Sequence, residues 1–436
     1  MINKRVLIIA NLFHAAPRIP GIATFLPDFG WEPTVVTPPL GPKGPAMLGF
    51  PKNFLEKTRI VEAPYKGDIF WFWRILFAKS GFSMGESITE QIKERVGIQK
   101  QMSLVDYLMR WYQTFLAYPD TEITWKRPAL MAAEKAQPGQ FDAILSSSPF
   151  PTSHIVASWL AKKYHLPWVA DFRDPWTVNH NYPYFALRKT IETAMEVRTL
   201  KNASQIVAAS PTYAEKISHL HGRPVHVVTN GFLPRDLPDT GPDPTGGFVI
   251  TYTGTIYSGK QDPEKFLTAL DNLLQTGRID RRDVHVRFYG RKLHWLKSAI
   301  ETRHLDDVVH QCGMVPREET FSKQRESHLL LLLNWEDPHE RGVYPLKFFE
   351  YLATGRPILA TGGFSGDEIE RLMRETGAGI CATMAEEIGK AILHAYGEYR
   401  QGHIDYRGRP EAIKQYSYPS LAGNLSSFLR AAVEKR

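Results

Sequence analysis

The sequence predicts an α/β protein made of two Rossmann-like domains facing a central cleft. Three features carry that expectation. Short β-rich runs alternate with helical stretches through the first half, the alternation breaks at LPRDLPDTGPDPTGG (233–247), and beyond the break it starts again. Strand alternating with helix implies a parallel sheet covered on both faces. A break dense in Pro, Asp and Gly reads as a linker, and 436 residues suit two cores better than one.

In chain order, MINKRVLIIANLF sets basic residues before a short apolar run, as a signal peptide does. VLIIA is shorter than a usual signal core and no small-residue cleavage site follows, so RVLIIA is read as the first buried strand. PTVVTP, AILSSS, PWVADF and QIVAAS are further strands, with SHIVASWLAKKYH and ALRKTIETAMEVRTLKN as helices. The rhythm fails between Lys66 and Tyr118, where tryptophans stand beside basic residues. Trp71, Trp73, Arg74, Phe77 and Lys79 would suit an anionic membrane surface, since indoles favour the headgroup zone and basic side chains favour anionic lipid. An insertion that packs its rings on its own domain is the other reading. After the linker, FVITYTG, VHVRFYG, HLLLLLNW and PILATGG are strands, with DPEKFLTALDNLLQ and LKFFEYLATG helical, and Leu421, Leu425, Phe428 and Leu429 make the final stretch an amphipathic helix. The expected division is an N-terminal domain 1–233 with an insertion at about 66–118, a linker 234–247, a C-terminal domain 248–415 and a closing helix 416–436.

Composition narrows the function. Hydrophobic residues at 43% and charged residues at 23% belong to a globular protein with a real core. No apolar run approaches the roughly 20 residues that cross a bilayer. Cys312 and Cys381 are the only cysteines, too few for a disulfide framework or a zinc ligand set, and a reducing cytoplasm is the expected setting. The net charge of +7 points to an anionic partner, whether a phosphorylated small molecule, anionic lipid or nucleic acid. The basic residues are dispersed and no nucleic-acid module is recognisable, so nucleic acid ranks last.

GVYPLKFFEYLATGRPILATGG (342–363) places Lys347 and Glu350 one helical turn apart in apolar surroundings. If HLLLLLNW is a strand, a helix starts near Leu346, and its positive end together with Lys347 outlines a diphosphate site, with Glu350 as a partner for a ribose diol. A salt bridge between the two on a solvated helix face is the plainer reading, and the apolar setting argues against it. DFRDPW sets Asp171, Arg173 and Asp174 at a strand end, where Arg173 would contact sugar or phosphate and the two aspartates would bind hydroxyls or orient Arg173; a buried ion-pair network is the alternative.

PLKFFEYLATGRPILA resembles the donor-binding helix of GT-B glycosyltransferases of the family-four type, in a subgroup patterned Lys-x-x-Glu-Tyr-Leu-Ala followed by Gly-x-Pro. SSSPFPTSHIVASWLAKKYHLPWVADFRDPW (146–176), NGF (230–232), YTGTIYSGKQDPEKFLTAL and GMVPREE (313–319) resemble further segments of that family in the family's order, over most of the chain. The resemblance implies a nucleotide-sugar donor, UDP- or GDP-linked, held by the C-terminal domain, with Lys347 and Lys260 on the diphosphate near Gly254 and Thr255. It further implies Glu350 on the ribose and Gly313, Met314 and Val315 around the base. Pro20 and Gly21 fall in the first strand-to-helix loop, where backbone would approach phosphate or acceptor. His154, at the start of a helix, is either a capping or packing residue or a catalytic one. Two positions depart from the family pattern: Gly342 stands where many members have the first glutamate of E-x7-E, with Glu340 two residues earlier, and Arg173 stands near a family histidine. Both bear on sugar recognition more than on phosphate binding.

The resulting expectation is a retaining, metal-independent hexosyltransferase without cofactor, taking a glycan or lipid-linked acceptor in polysaccharide or cell-surface glycan biosynthesis. It would be cytoplasmic and peripheral at the inner face of the membrane. No Asp-x-Asp motif for a diphosphate-bound metal is present; lysines and a helix dipole would take its place. A catalytically silent sugar-nucleotide-binding or scaffold protein is the alternative, motivated by Gly342 and Arg173. A sugar-nucleotide epimerase on a related fold ranks behind it, for want of any epimerase motif.

Overall fold

The computed structural model describes residues 3–42, 44–65, 67–69, 114–115, 117–180, 182, 184–234, 246–337 and 341–435. The aromatic and basic stretch with Trp71, Trp73, Arg74, Phe77 and Lys79 lies outside the described residues, as do 235–245 of the linker and Glu340. The chain packs as two units, Met1–Val228 with Gly423–Arg436, and Thr229–Ala422.

The first unit holds β1 (Lys4–Ile9), β2 (Trp31–Thr37), β3 (Arg59–Glu62), β4 (Ala143–Ser147), β5 (Trp168–Phe172), β6 (Gln205–Ala208) and β7 (His226–Val227). They form one sheet in the order β3-β2-β1-β4-β5-β6-β7, with every pairing parallel. Its principal helices are α1 (Arg18–Phe25), α2 (Lys126–Lys135), α3 (Pro151–Tyr164), α4 (Ala186–Leu200) and α5 (Pro211–His221). The second unit holds β8 (Phe248–Thr253), β9 (Val284–Tyr289), β10 (Val309–Gly313), β11 (Leu329–Leu333), β12 (Ile358–Thr361) and β13 (Gly379–Ala382), in the order β10-β9-β8-β11-β12-β13, again parallel. Its principal helices are α6 (Glu264–Gln275), α7 (His294–Thr302), α8 (Arg317–Arg325), α9 (Leu346–Leu352), α10 (Glu368–Thr376) and α11 (Ala385–Arg400), and α12 (Tyr418–Glu434) closes the chain. Each sheet is thus a doubly wound Rossmann-like sheet, and the α/β expectation holds. In each, strand order reverses beside the first strand, between β1 and β4 and between β8 and β11. Ligand crevices form at such switch points, outside the carboxyl ends of the strands.

The leucine run of β11 shows why interior strands of a parallel sheet lose the polar alternation. Leu329, Leu331 and Leu333 enter a core with Phe248, Phe266 and Leu270, while Leu330 and Leu332 enter another with Phe348, Phe349 and Tyr351. Both faces are apolar, so every position must be. On α9, Phe348, Phe349, Tyr351 and Leu352 are all buried. That leaves Lys347 and Glu350 on the stripe the core does not use.

One expected placement is corrected. Pro20 and Gly21 are not in a loop but inside α1, where they are buried and the Gly21 N–H donates to Pro17 O at 2.8 Å. Proline at the third helical position gives up no hydrogen bond, because the first turn's N–H groups have no partner within the helix. The connecting loop is therefore shorter than the proline and glycine suggest. The closing helix is amphipathic as read, with Leu421, Leu425 and Leu429 buried. From Gly423 onward it belongs to the first unit, where Phe428 stacks on His226 with ring centroids 4.4 Å apart.

Candidate active site

In the second unit the carboxyl ends of three adjacent strands terminate in glycine. Gly254 follows β8, Gly290 follows β9 and Gly313 ends β10, joined in series by Gly254 N–H to Tyr289 O (2.8 Å) and Gly290 N–H to Gly313 O (3.0 Å). A Cβ on Gly290 would stand 2.3 Å from Gly254 O, and Gly254 (φ +106°) and Gly313 (φ +84°) adopt backbone conformations that side chains resist. The result is a floor of bare main chain beside the β8/β11 switch point.

Lys347 stands over one end of this floor, its Nζ 3.4 Å from where a Gly254 Cβ would be. The ammonium lies 4.1 Å from the Tyr252 ring centroid, donates to the Tyr252 hydroxyl and reaches Thr255 O at 3.4 Å. Tyr252 in turn donates to Thr255 O at 2.8 Å. Burial pushes the Lys347 pKa down to about 7, with Glu350 opposing the shift. Glu350 does not bridge to Lys347; its Oε1 lies 2.5 Å from Arg317 Nη2 at the start of α8. Gly254, Thr255 and Lys347 are thus brought together, while Lys260 turns to the Trp335 ring, 4.8 Å away, which itself stacks on Tyr257. The loop between them is fastened by buried Gln261, which donates to Leu333 O at 2.7 Å. Val315 is half-buried beyond Gly313, and Met314 is exposed. Gly342 is buried with φ +102°, a conformation in which a glutamate would be strained.

In the first unit, Asp171 does not serve Arg173. Its carboxylate is clamped by Arg18, with Nη2 to Oδ1 at 2.7 Å and Nε to Oδ2 at 3.1 Å, both side chains are essentially inaccessible, and Ser147 Oγ donates at 2.8 Å. For Asp171 the buried ion pair is the correct reading. Arg173 instead donates to the carbonyls of His14 and Ala16. Burial raises the pKa of Asp174 against the pull of Arg173. His154 is a packing residue. It is fully buried, and its Nδ1 is hydrogen-bonded to Ser146 Oγ (2.7 Å), which also accepts from Trp168 Nε1 (2.8 Å). Burial lowers its pKa to about 4, which keeps the ring neutral.

Several residues here carried no signal in the sequence. Arg18 is one. His14, T-stacked on Phe150 with centroids 4.6 Å apart and 3.7 Å from buried Glu122, is another. In the second unit they are Tyr252, Arg317, Trp335 and Lys292, whose Cε lies 3.5 Å from where a Gly313 Cβ would stand. Tyr252, Trp335 and Arg317 lay within the quoted FVITYTG, HLLLLLNW and GMVPREE stretches, but their roles beside Lys347, Lys260 and Glu350 follow only from tertiary packing. A cavity of about 340 Å³ opens at the amino ends of β11 to β13, lined by His328, Ile358, Ile380, His394 and Asp405. It is at the end of the sheet opposite Lys347, and the glycine floor is the better candidate because bare peptide groups and an ammonium converge there. Among the described residues, no group of His, Cys, Asp and Glu is placed to hold a metal ion, and no helix is long and apolar enough to cross a membrane.

Two doubly wound parallel sheets, one carrying a lysine over bare strand ends, place the chain in the GT-B class. Residues 107–233 match the model described as Glycosyltransferase Family 4, and residues 247–398 that described as Glycosyl transferases group 1. Together these cover well over half of the sequence, and the chain belongs to the family-four type of GT-B glycosyltransferases. No curated protein matches it. Among solved structures it is similar to sucrose-phosphate synthase from Thermosynechococcus elongatus (13% identity, TM-score 0.61, 100% of each chain). It is also similar to HepE of Anabaena in complex with UDP and glucose (12% identity, TM-score 0.57, 99% of this chain and 98% of that one). A third likeness is to the lipopolysaccharide outer core galactosyltransferase WaaB (12% identity, TM-score 0.52, 98% of this chain and 99% of that one).

Proposed function

We propose that this glycosyltransferase moves a hexose from a UDP- or GDP-linked donor to a glycan or lipid-linked acceptor in polysaccharide or cell-surface glycan assembly. The observation that carries the donor side is Lys347 over the bare end of β8. A diphosphate laid there meets an ammonium and unobstructed peptide groups, and the ammonium stabilises the charge that grows on the leaving nucleoside diphosphate. Lys260 swings from Trp335 as a second cation, Glu350 takes the ribose hydroxyls, and Gly313 and Val315 flank the base. A solved HepE complex with UDP and glucose supports a uridine donor. These lysines do the electrostatic task that a divalent ion does elsewhere, so the reaction is read as metal-independent and without cofactor.

Transfer proceeds with retention. The acceptor oxygen forms its bond to the anomeric carbon on the face from which the diphosphate leaves, the bond to phosphate breaks, and the acceptor's proton passes to the departing phosphate oxygen. No protein nucleophile is needed. The first unit is the acceptor side, with half-buried Arg173 and Asp174 as its polar contacts. The protein works in the cytoplasm, peripheral at the inner face of the membrane, which the +7 charge supports.

The test is transfer of radiolabelled sugar from UDP- and GDP-hexoses to membrane extract, comparing wild type with Lys347→Ala. Transfer that Lys347→Ala leaves intact would refute the site. Gly342 favours a second reading, a silent sugar-nucleotide-binding module. Saturable donor binding with no transfer to any acceptor would establish it.

A further inference from the structure

Resting on that reading of the site, we propose that Lys292 reads the base of the donor nucleotide and selects a keto base over an amino base. The glycine floor has two ends. Neighbouring strands lie about 4.8 Å apart, so Gly254, Gly290 and Gly313 span about 10 Å of exposed main chain. Lys347 stands at the Gly254 end and Lys292 at the Gly313 end, each about one contact distance from the place a Cβ would occupy.

Glu350, one helical turn past Lys347, pairs with Arg317 at 2.5 Å, and Arg317 opens α8 four residues past Gly313, the glycine that Lys292 stands against. A nucleotide whose diphosphate meets Lys347 and whose ribose meets Glu350 therefore points its base toward Gly313. Side chains on the floor itself would block that path, and there are none.

An ammonium has three donors and no acceptor. Uracil and thymine O4 and guanine O6 are acceptors at the outer edge of the base, whereas cytosine N4 and adenine N6 are donors. Lys292 is exposed in the free protein, beside Cys312 and on the same side as Arg287. A bound base shields it from water, so its hydrogen bond discriminates instead of being exchanged for one to solvent. UDP, dTDP and GDP satisfy the donor; CDP and ADP leave it facing an amino group.

Isothermal titration of the full chain with UDP, CDP, GDP and ADP tests this in two keto–amino pairs, of which UDP and CDP match in shape. In the wild type UDP should bind about tenfold or more tightly than CDP, and GDP than ADP, the value of one hydrogen bond to a charged donor. Lys292→Met should collapse both ratios toward one while sparing CDP and ADP, and Lys292→Arg should keep them. Ratios that survive Lys292→Met, or a wild type without keto preference, overturn the proposal. If Lys347→Met still weakens binding about tenfold or more in that case, the donor site stands and only the role of Lys292 falls. Failure of the wild type to bind any of the four removes the donor site and this proposal together.

Discussion

Lys347 offers the sharpest test of the proposed donor site, because there one side chain would fix both the strength and the pH dependence of binding. Replacing it with methionine keeps most of the packing over Tyr252 and removes the charge. A hydrogen bond from a charged donor contributes about 1.5–3 kcal/mol, so the affinity for a nucleoside diphosphate should fall about ten- to 150-fold. The sign of the pH effect follows from the depressed pKa. Lys347 titrates near 7 in the free protein, against 10.5 for an ordinary lysine, because burial disfavours the ammonium. A bound diphosphate favours the ammonium, so binding above that pH takes up a proton. Affinity should be flat below about pH 7 and weaken above it by up to tenfold per pH unit. Stability runs the other way. The free folded chain carries an unfavourable buried charge below pH 7, a cost that is relieved as pH rises from 7 toward 10.5, so Lys347→Met should raise the Tm of the free protein at pH 6 while shrinking the shift caused by UDP. Titration calorimetry at pH 6, 7, 8 and 9 is the assay. A wild-type affinity that does not change between pH 7 and 9, or one that Lys347→Met leaves alone, would refute the reasoning.

Three other perturbations probe the frame around the site. Gly290→Ala should cost about 1–3 kcal/mol in chemical denaturation and weaken nucleotide binding, since its methyl meets Gly254 O at 2.3 Å and must push β8 and β9 apart. Arg18→Met should destabilise the first unit by about 3–5 kcal/mol, leaving Asp171 buried without its partner, and the Arg18→Met/Asp171→Leu double variant should recover much of the loss in urea melts. Gly342→Glu restores the family's carboxylate in the sequence but not in space: at φ +102° it should lower the Tm by the equivalent of about 1–2 kcal/mol, and a rise in transfer rate would count against the strain argument.

What was legible in the sequence was set by burial. Interior strands such as β1 and β11 announce themselves because both faces are apolar. The edge strands β3, β10 and β13 do not: Arg59–Glu62 has no buried residue, and VHQCG alternates buried or half-buried with exposed positions. A solvated edge resembles a loop in composition. The Lys347 helix was readable in extent and register, since four apolar residues leave one stripe for charges. Its partners were not, because Tyr252 and Arg317 lie 95 and 33 residues away. Asp171 shows the same limit: the strand end gave its position, but nothing in DFRD indicates that an arginine 153 residues earlier holds it. Pro20 and Gly21 were misplaced because residues that usually mark a loop are tolerated in a helix's first turns.

The glycine floor also constrains how this enzyme can change. A surface made of peptide groups has no side chains to exchange, and substitution at Gly290 strikes the neighbouring strand directly. On the proposed reading, donor preference would drift only through the residues standing around it, such as Lys292, Arg317 and Lys347. Variation for new substrates is thereby confined to a few positions that do not hold the core together, and a library restricted to them would explore donor range without exploring unfolding.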